Sequence, residues 1–558
     1  MSTSVKPIDY ADYLADFRIE DVFRRLDDHD DGLFNAYESC CGRHLRAGRG
    51  DVEALVHEAV DGSVNRLTFA DLDTRSARLA GWMAEQGLGT GDRIACMLPR
   101  SPDLLVAVLA TWRLGAVYQP LFTAFGPDAV AYRLERASTR LVITDTSNRH
   151  KFADLDNLPS VLCVRSADAE DDHPEDLDWL SALQSAAMDT PPPRLSADAP
   201  FLQMFTSGTV GKPKGVAVPL SAMAAFALYM DLAVDLREND RFWNMADPGW
   251  AYGLYYAITG PLLLGRTTHF CEAGFSAEGA KAFMQRHGIT NFAAAPTAYR
   301  LMKASGLFED AHRVLSLRAA SSAGEPLNTE VVSWVESSLG CPVMDHYGQT
   351  ETGMTCNNHH ALEHPKHVGG MGVPMPGYRL AILDAEYNEL PVGEPGVLAV
   401  DMARSPAFFF PGYTWQEKHP FAEGYYLTGD VVVRLEDGTF QFAGRDDDII
   451  TTAGYRVGPT DVENSVLTHP AVAESAAVGL PDDIRGEIIK SYVVLREGFE
   501  PSDELAEEIQ QRVRQRLSAH AFPRVVEFVD ALPKTPSGKI QRFKLRADAA
   551  TKSRGSAA

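Results

Sequence analysis

The chain has 558 residues, 45% of them hydrophobic and 23% charged, and its 76 acidic against 52 basic side chains leave a formal net charge of −24. This length exceeds a single hydrophobic core and predicts several subdomains, while the acidic balance excludes a general affinity for nucleic acid or an anionic membrane. No apolar run is long enough to span a bilayer, the start lacks a signal peptide's basic flank and apolar stretch, and seven scattered cysteines form no CxxC pair. A cytoplasmic protein with reduced, non-catalytic thiols is expected.

From residue 68 onward, helix-like and strand-like segments alternate. Thr68 is placed to cap a helix, with Asp71 in the capping-box position, Leu72, Leu79 and Met83 on its buried face, and glycines ending it at 87–91. The apolar run 94–98 reads as a buried strand, 103–114 as a helix and 141–144 as a further strand, which is a parallel-sheet rhythm. An acidic, proline-containing stretch at 169–193 predicts a surface connection to a second α/β block at 201–340, with a helix near 280–286 and a strand at 292–295 stopped by Pro296. Short strands with Gly/Pro turns between 370 and 445 predict a small antiparallel or barrel-like subdomain. Beyond Asp446-Asp447-Asp448 the pattern becomes α+β, with Ser502 capping a helix whose Leu505, Ile509, Val513 and Leu517 share a face, and with 551–558 expected as a loose tail.

The stretch Thr206-Ser207-Gly208-Thr209-Val210-Gly211-Lys212-Pro213-Lys214-Gly215 joins three kinds of residue that suit a loop folded around phosphates. Its glycines allow close backbone approach, its hydroxyls and amides donate to phosphate oxygens, and its ammonium groups offset charge. It does not follow the GxxxxGK[ST] spacing of kinases and GTPases. Further along stand Ala323-Gly324-Glu325-Pro326, Asp345-His346-Tyr347-Gly348-Gln349-Thr350-Glu351-Thr352-Gly353, Tyr426-Leu427-Thr428-Gly429-Asp430, Gly444-Arg445-Asp446-Asp447-Asp448 followed by Gly454-Tyr455-Arg456, and Pro533-Lys534-Thr535-Pro536-Ser537-Gly538-Lys539-Ile540.

In this order and at these spacings, over roughly residues 35–546, the segments resemble the adenylate-forming superfamily of acyl-CoA synthetases, adenylation domains and luciferases, and most of all its medium-chain and acetyl-CoA synthetase branch. The resemblance implies an α/β fold: a large N-terminal domain (1–446) of two α/β subdomains and a small β-barrel-like subdomain, then a smaller, mobile α+β C-terminal domain (447–558). It implies a ligase that converts a carboxylic acid, ATP and CoA into acyl-CoA, AMP and pyrophosphate through an acyl-adenylate. Thr206, Ser207, Gly208, Thr209 and Lys214 would then hold the β- and γ-phosphates, Thr350 the α-phosphate and Glu351 a magnesium ion. Gly324, Glu325, Pro326, Asp345, His346 and Tyr347 would form the adenine slot, and Asp430 and Arg445 would grip the ribose. Lys539 would stabilise the charge of adenylate formation, Asp447 would be the hinge, Gly454 would line the pantetheine tunnel, and Arg456 would meet the adenylate phosphate. Val210 departs from the family loop, which usually carries Ser or Thr there.

The same resemblance places the acyl pocket among Trp250, Ala251, Tyr252, Gly253, Leu254, Tyr299, Ala323 and Gly348. Acetate-specific relatives close this pocket with tryptophan at the position of Gly348, so glycine implies a deeper cavity for a medium-chain, branched or aromatic acid. The tyrosines Tyr252, Tyr255 and Tyr256 are open to two readings, pocket lining or core packing. Among His359, His360, His364 and His367 only His360 and His364 have the i, i+4 spacing of a helical zinc pair, with Pro365 next to them, and the four are left out of the site. Two other functions remain in view: an adenylating enzyme that loads a carrier protein, and a non-catalytic nucleotide- or acyl-binding relative. No nucleic-acid or membrane partner is expected, and a homodimer is left open.

Overall fold

The computed structural model describes residues 7–27, 31–153, 155–165, 173–188, 190–206, 213–325, 327, 329–416, 419–446, 448–452, 455–482, 485–516, 521–534 and 539–555. The side chains of 455, 456, 486 and 550–555 are not among them. Ser207, Gly208, Thr209, Pro326, Asp447, Gly454 and Leu517 therefore lie outside the described residues, as does the Arg456 side chain. The chain forms two compact units, one holding the chain to Ser207, Pro213–Tyr378 and Ala403–His419, the other Arg379–Met402 and Pro420–Ala558.

The first unit contains two large sheets. One orders its strands Tyr413–Thr414, Lys214–Pro219, Pro200–Thr206, Val117–Pro120, Arg93–Met97, Leu141–Asp145, Ser160–Val164 and Leu177–Asp178, parallel from Pro200–Thr206 onward. The other has a parallel centre, Val343–Gln349, Ala319–Ala323, Asn291–Ala294, Phe242–Asn244, Thr268–Cys271 and Glu53–Glu58, with antiparallel strands at both ends. The local signals explain the helices between them. Thr68 and Asp71 form a reciprocal capping box on Phe69–Glu85, Ser101 caps Pro102–Arg113 with proline in the first turn, and Ser276 caps Ala277–His287, which Gly288 ends in the left-handed conformation. The acidic connector is pinned to the sheet's helices at Trp179, which is 2% exposed and whose indole N–H donates to Asp103 at 3.0 Å, and at Asp176, which pairs with Arg149. Strand Glu53–Glu58, invisible to periodicity, joins the sheet beside Thr268–Cys271, more than two hundred residues away in the chain.

The second unit contains an antiparallel five-stranded sheet, built from Leu380–Leu383, Pro395–Asp401, Tyr425–Arg434, Phe421–Ala422 and Phe440–Arg445. A further sheet is built on the long pair Val472–Asp482 and Gly486–Leu495. Helix Asp503–Arg516 begins where expected, with the Leu505 amide bonded to the Ser502 hydroxyl at 3.1 Å and Ile509 and Val513 buried. The expected loose tail is corrected: Arg542–Gly555 is helical, because Leu545 and Ala549 supply a buried stripe that carries the helix past residue 551. Among the described residues, no helix is long and apolar enough to cross a membrane.

Candidate active site

In the first unit, the antiparallel hairpin Pro200–Thr206 and Lys214–Pro219 pairs Thr206 directly with Lys214, so these two described residues of the 206–215 stretch stand opposite each other. The outer side of this hairpin pairs with Tyr413–Thr414, Val216 against Tyr413 and Gly215 against Thr414. Glycine is required at 215, since a Cβ there would lie 2.2 Å from the Thr414 hydroxyl and 2.3 Å from the Trp415 ring. The close approach brings three side chains together. Lys214 Nζ lies 4.5 Å from the centre of the Tyr413 ring, and the Tyr413 hydroxyl donates to Glu351 Oε1 at 2.8 Å. Glu351 is only 7% exposed, and this contact gives one of its buried carboxyl oxygens a hydrogen-bond partner.

A second hairpin, Val343–Gln349 with Gly353–Asn357, carries Asp345, His346, Tyr347 and Gly348, and its turn carries Thr350 and Glu351. Its pairing shifts register between Tyr347 and Gly348, a bulge that re-aims the following side chains. Parallel pairing with Ala319–Ala323 sets Asp345 beside Ser322 and His346 beside Ala323, next to Gly324 at φ +101°. The Asp345 carboxyl accepts from the Leu327 amide at 2.9 Å and the His346 amide at 3.1 Å. Burial pushes its pKa up to about 7 against the lowering effect of those two bonds. Asp345 thereby ties the 324–327 segment to the hairpin. Glu325 is paired with Arg300 at 2.9 Å.

The His346 imidazole points into the core. One ring nitrogen, Nδ1, is 2.7 Å from the Tyr229 hydroxyl and the other, Nε2, is 3.1 Å from the Asn358 carbonyl. Burial lowers its pKa to about 3, so it is neutral, and the partners assign Nε2–H as donor to Asn358 and Nδ1 as acceptor from Tyr229. With both nitrogens engaged inside the protein, the His346 imidazole is not available to a ligand.

The residues expected around the acyl group divide by exposure. Trp250, Ala251, Tyr252 and Gly348 keep accessible surface, whereas Gly253, Leu254, Tyr299 and Ala323 are buried. Tyr299 donates to the Ser321 carbonyl at 2.9 Å, Tyr255 to the Thr350 carbonyl at 3.0 Å, and Tyr256 accepts from the Met354 amide at 3.1 Å. Tyr255 and Tyr256 are therefore packing residues behind the hairpin. Tyr252 is half-buried, with its hydroxyl 3.4 Å from the Tyr229 hydroxyl. Trp250 packs on Phe122 and Phe125 with centroids 5.5 and 5.4 Å away. Of the histidines, His360 bonds to the Ala320 carbonyl and His364 accepts from the His359 amide.

In the second unit, Asp430 and Arg445 stand directly opposite each other on adjacent strands, and Arg445 Nη1 is 3.2 Å from both Asp430 Oδ1 and the Thr428 carbonyl. Gly429, at φ +71°, leaves room for the guanidinium, which an added Cβ would meet at 3.0 Å. Lys539 is exposed, one residue before Ile540, which bridges back to Lys534.

Tyr413 was missed by sequence reasoning. Its local signal, Pro411-Gly412-Tyr413-Thr414, marks only a turn, and its pairing with Val216 is a long-range event. Tyr413→Phe keeps the ring over Lys214 but removes the bond to Glu351. It is expected to lower the adenylation kcat/KM about tenfold, in keeping with a charged hydrogen bond, while leaving the melting midpoint nearly unchanged. Unaltered pyrophosphate exchange in the folded variant would remove Tyr413 from the site.

The AMP-binding enzyme family matches residues 44–414, and the AMP-binding enzyme C-terminal domain matches residues 461–539. The acetyl-coenzyme A synthetase of Bacillus subtilis is 37% identical over 92% of this chain and 91% of its own length. A Brucella canis acyl-CoA synthetase structure is 47% identical, with a TM-score of 0.78, covering 98% of this chain and all of its own. A benzoate CoA ligase from Burkholderia xenovorans is 28% identical, with a TM-score of 0.81, over 92% of this chain and all of its own. The chain belongs to the AMP-binding enzyme family and, within that adenylate-forming superfamily, to the AMP-forming acid–thiol ligases.

Proposed function

We propose that this chain joins an organic acid larger than acetate to CoA in two steps. The acid's carboxylate oxygen attacks the α-phosphorus of ATP and pyrophosphate leaves; the CoA thiol then attacks the acyl carbon and AMP leaves. The observation that carries this reading is the meeting of Lys214, Tyr413 and Glu351 beside the hairpin that bears Gly348. Lys214, with the phosphate stretch, would hold the β- and γ-phosphates, Thr350 the α-phosphate, Asp430 and Arg445 the ribose, and Lys539 the charge that develops between the two anions.

Magnesium suits Glu351. Among the described residues, no group of three or more His, Cys, Asp and Glu side chains could hold a metal ion. One hard, buried carboxylate with phosphate oxygens and water is a donor set that magnesium uses. When bound, the ion would supply neutralisation of the triphosphate; the positioning is done by the chain's own groups, with Tyr413 fixing one carboxylate oxygen.

The acid is the finer question. The relatives named acetyl-coenzyme A synthetase favour acetate. Gly348 favours a larger acid, because a Cβ there would sit 2.1 Å from the Gly353 carbonyl oxygen, so no side chain can close the pocket from this position unless the hairpin moves. Pyrophosphate release with acetate, hexanoate, isobutyrate and benzoate decides between the two, and a kcat/KM highest for acetate would overturn the larger acid. Gly348→Ala is expected to destabilise the protein by about 1–3 kcal/mol through overpacking and to lower activity on every acid, measured by thermal melting alongside that screen. Release of free acyl-CoA distinguishes this function from the loading of a carrier protein. We also place the enzyme in the cytoplasm, with a homodimer to be sought by sedimentation.

A further inference from the structure

We propose that Asp448 is a positioning residue for Lys539: with Glu463 it anchors the two arginines that follow the lysine, tying the lysine's segment to the residue beside the expected hinge. The inference rests on the role proposed above for Lys539.

Arg542 donates to Glu463 Oε1 from Nε at 3.1 Å and to Oε2 from Nη2 at 2.7 Å, while its Nη1 lies 3.6 Å from Asp448 Oδ2. Arg546, one helical turn on, places Nη1 2.5 Å from Asp448 Oδ1. The Asp448 and Glu463 side chains are each 10% exposed, and Glu463 also accepts from the Ala477 amide at 2.8 Å. Two buried carboxyl groups and two guanidinium groups thus form one ionic cluster with Asp461 nearby, the kind in which deleting one partner strands the others.

The cluster joins two places of consequence. On one side, the Asp448 amide bonds to the Arg445 carbonyl at 3.0 Å, which ties Asp448 to a ribose candidate. On the other, Lys534 and Ile540 form an antiparallel bridge, and the Gln541 amide bonds to the Pro533 carbonyl at 2.8 Å. Lys539 lies immediately before this closure and three residues before Arg542. Its Cα is therefore held from the C-terminal side by the bridge and the ionic cluster together. Rotation at 447 then carries Lys539 as part of one body, in place of leaving it on a slack loop.

The test is a double-mutant cycle on the full chain, with pyrophosphate exchange reporting adenylation and preformed acyl-adenylate plus CoA reporting thioester formation. Asp448→Asn is expected to lower exchange about 10–100-fold, the loss typical of a small misplacement of a catalytic group, with thioester formation changed less than about threefold. Asp448→Glu should recover most of the loss. In a Lys539→Ala background, Asp448→Asn should cause no further loss, because it acts through the absent ammonium. A loss that multiplies with that of Lys539→Ala, or full exchange in folded Asp448→Asn, would overturn the proposal. If Asp448→Asn does not fold, Arg546→Ala, whose side chain is 31% exposed, replaces it in the same cycle with the same criteria. Intact exchange in Lys539→Ala alone would instead refute the role of the lysine itself.

Discussion

Lys539→Ala is expected to lower acyl-adenylate formation roughly 100–1,000-fold, the loss that follows removal of one preorganised charge-stabilising donor. The same variant should still convert preformed acyl-adenylate and CoA into thioester within a few-fold of the unaltered chain. The split follows from where charge develops. In the first step a carboxylate approaches a polyphosphate, two anions that only a cation can reconcile, whereas the thiol in the second step attacks an acyl group already activated. The lysine is exposed and neighbours a bridge made by Ile540, so its truncation removes little buried area and should not unfold the protein. Pyrophosphate exchange and thermal melting together check this, and equal loss in both half-reactions would assign Lys539 a different task.

Glu351→Gln should have the next largest effect. The amide keeps the shape of the side chain and an oxygen to accept from Tyr413, so the hairpin and its contact with the phosphate stretch are preserved. What is lost is one negative charge at a 7% exposed position. If Glu351 holds magnesium, the concentration of that ion needed for half-maximal exchange should rise at least about tenfold, and saturated exchange should fall roughly 100-fold, a few kcal/mol of charge stabilisation. Calorimetric titration of magnesium–nucleotide into the variant supplies a readout separate from turnover. An unchanged magnesium requirement would remove Glu351 from the metal site. Arg300→Ala provides a contrast, since it removes the partner of Glu325 without touching this carboxylate.

Local physics made several elements legible in advance. A helix start is signalled within four residues, so Thr68 with Asp71, and Ser502 with its acidic first turn, could be placed from sequence. The run 94–98 was legible because a strand covered on both faces needs no polar alternation. Strand Glu53–Glu58 was not, since its place beside Thr268–Cys271 depends on a partner supplied by a distant segment. The trio Tyr252, Tyr255 and Tyr256 shows the same boundary within one short stretch. Its spacing does not say which ring is fully enclosed, and packing against Phe226 and the 343–357 hairpin buries Tyr255 and Tyr256 while leaving Tyr252 half-buried.

From the residues alone came the reaction class, through the resemblance of short, ordered segments to a known superfamily, since such segments keep their residue types and order without reference to the rest of the fold. Tertiary structure alone decided which of those side chains face the chemistry. It turned the His346 imidazole inward onto Tyr229 and Asn358, set Tyr413 against a carboxylate 62 residues away, and left no room for a side chain at 348. The reason is that strand register and sheet order arise from contacts between distant segments, and a side chain's direction and burial follow from them.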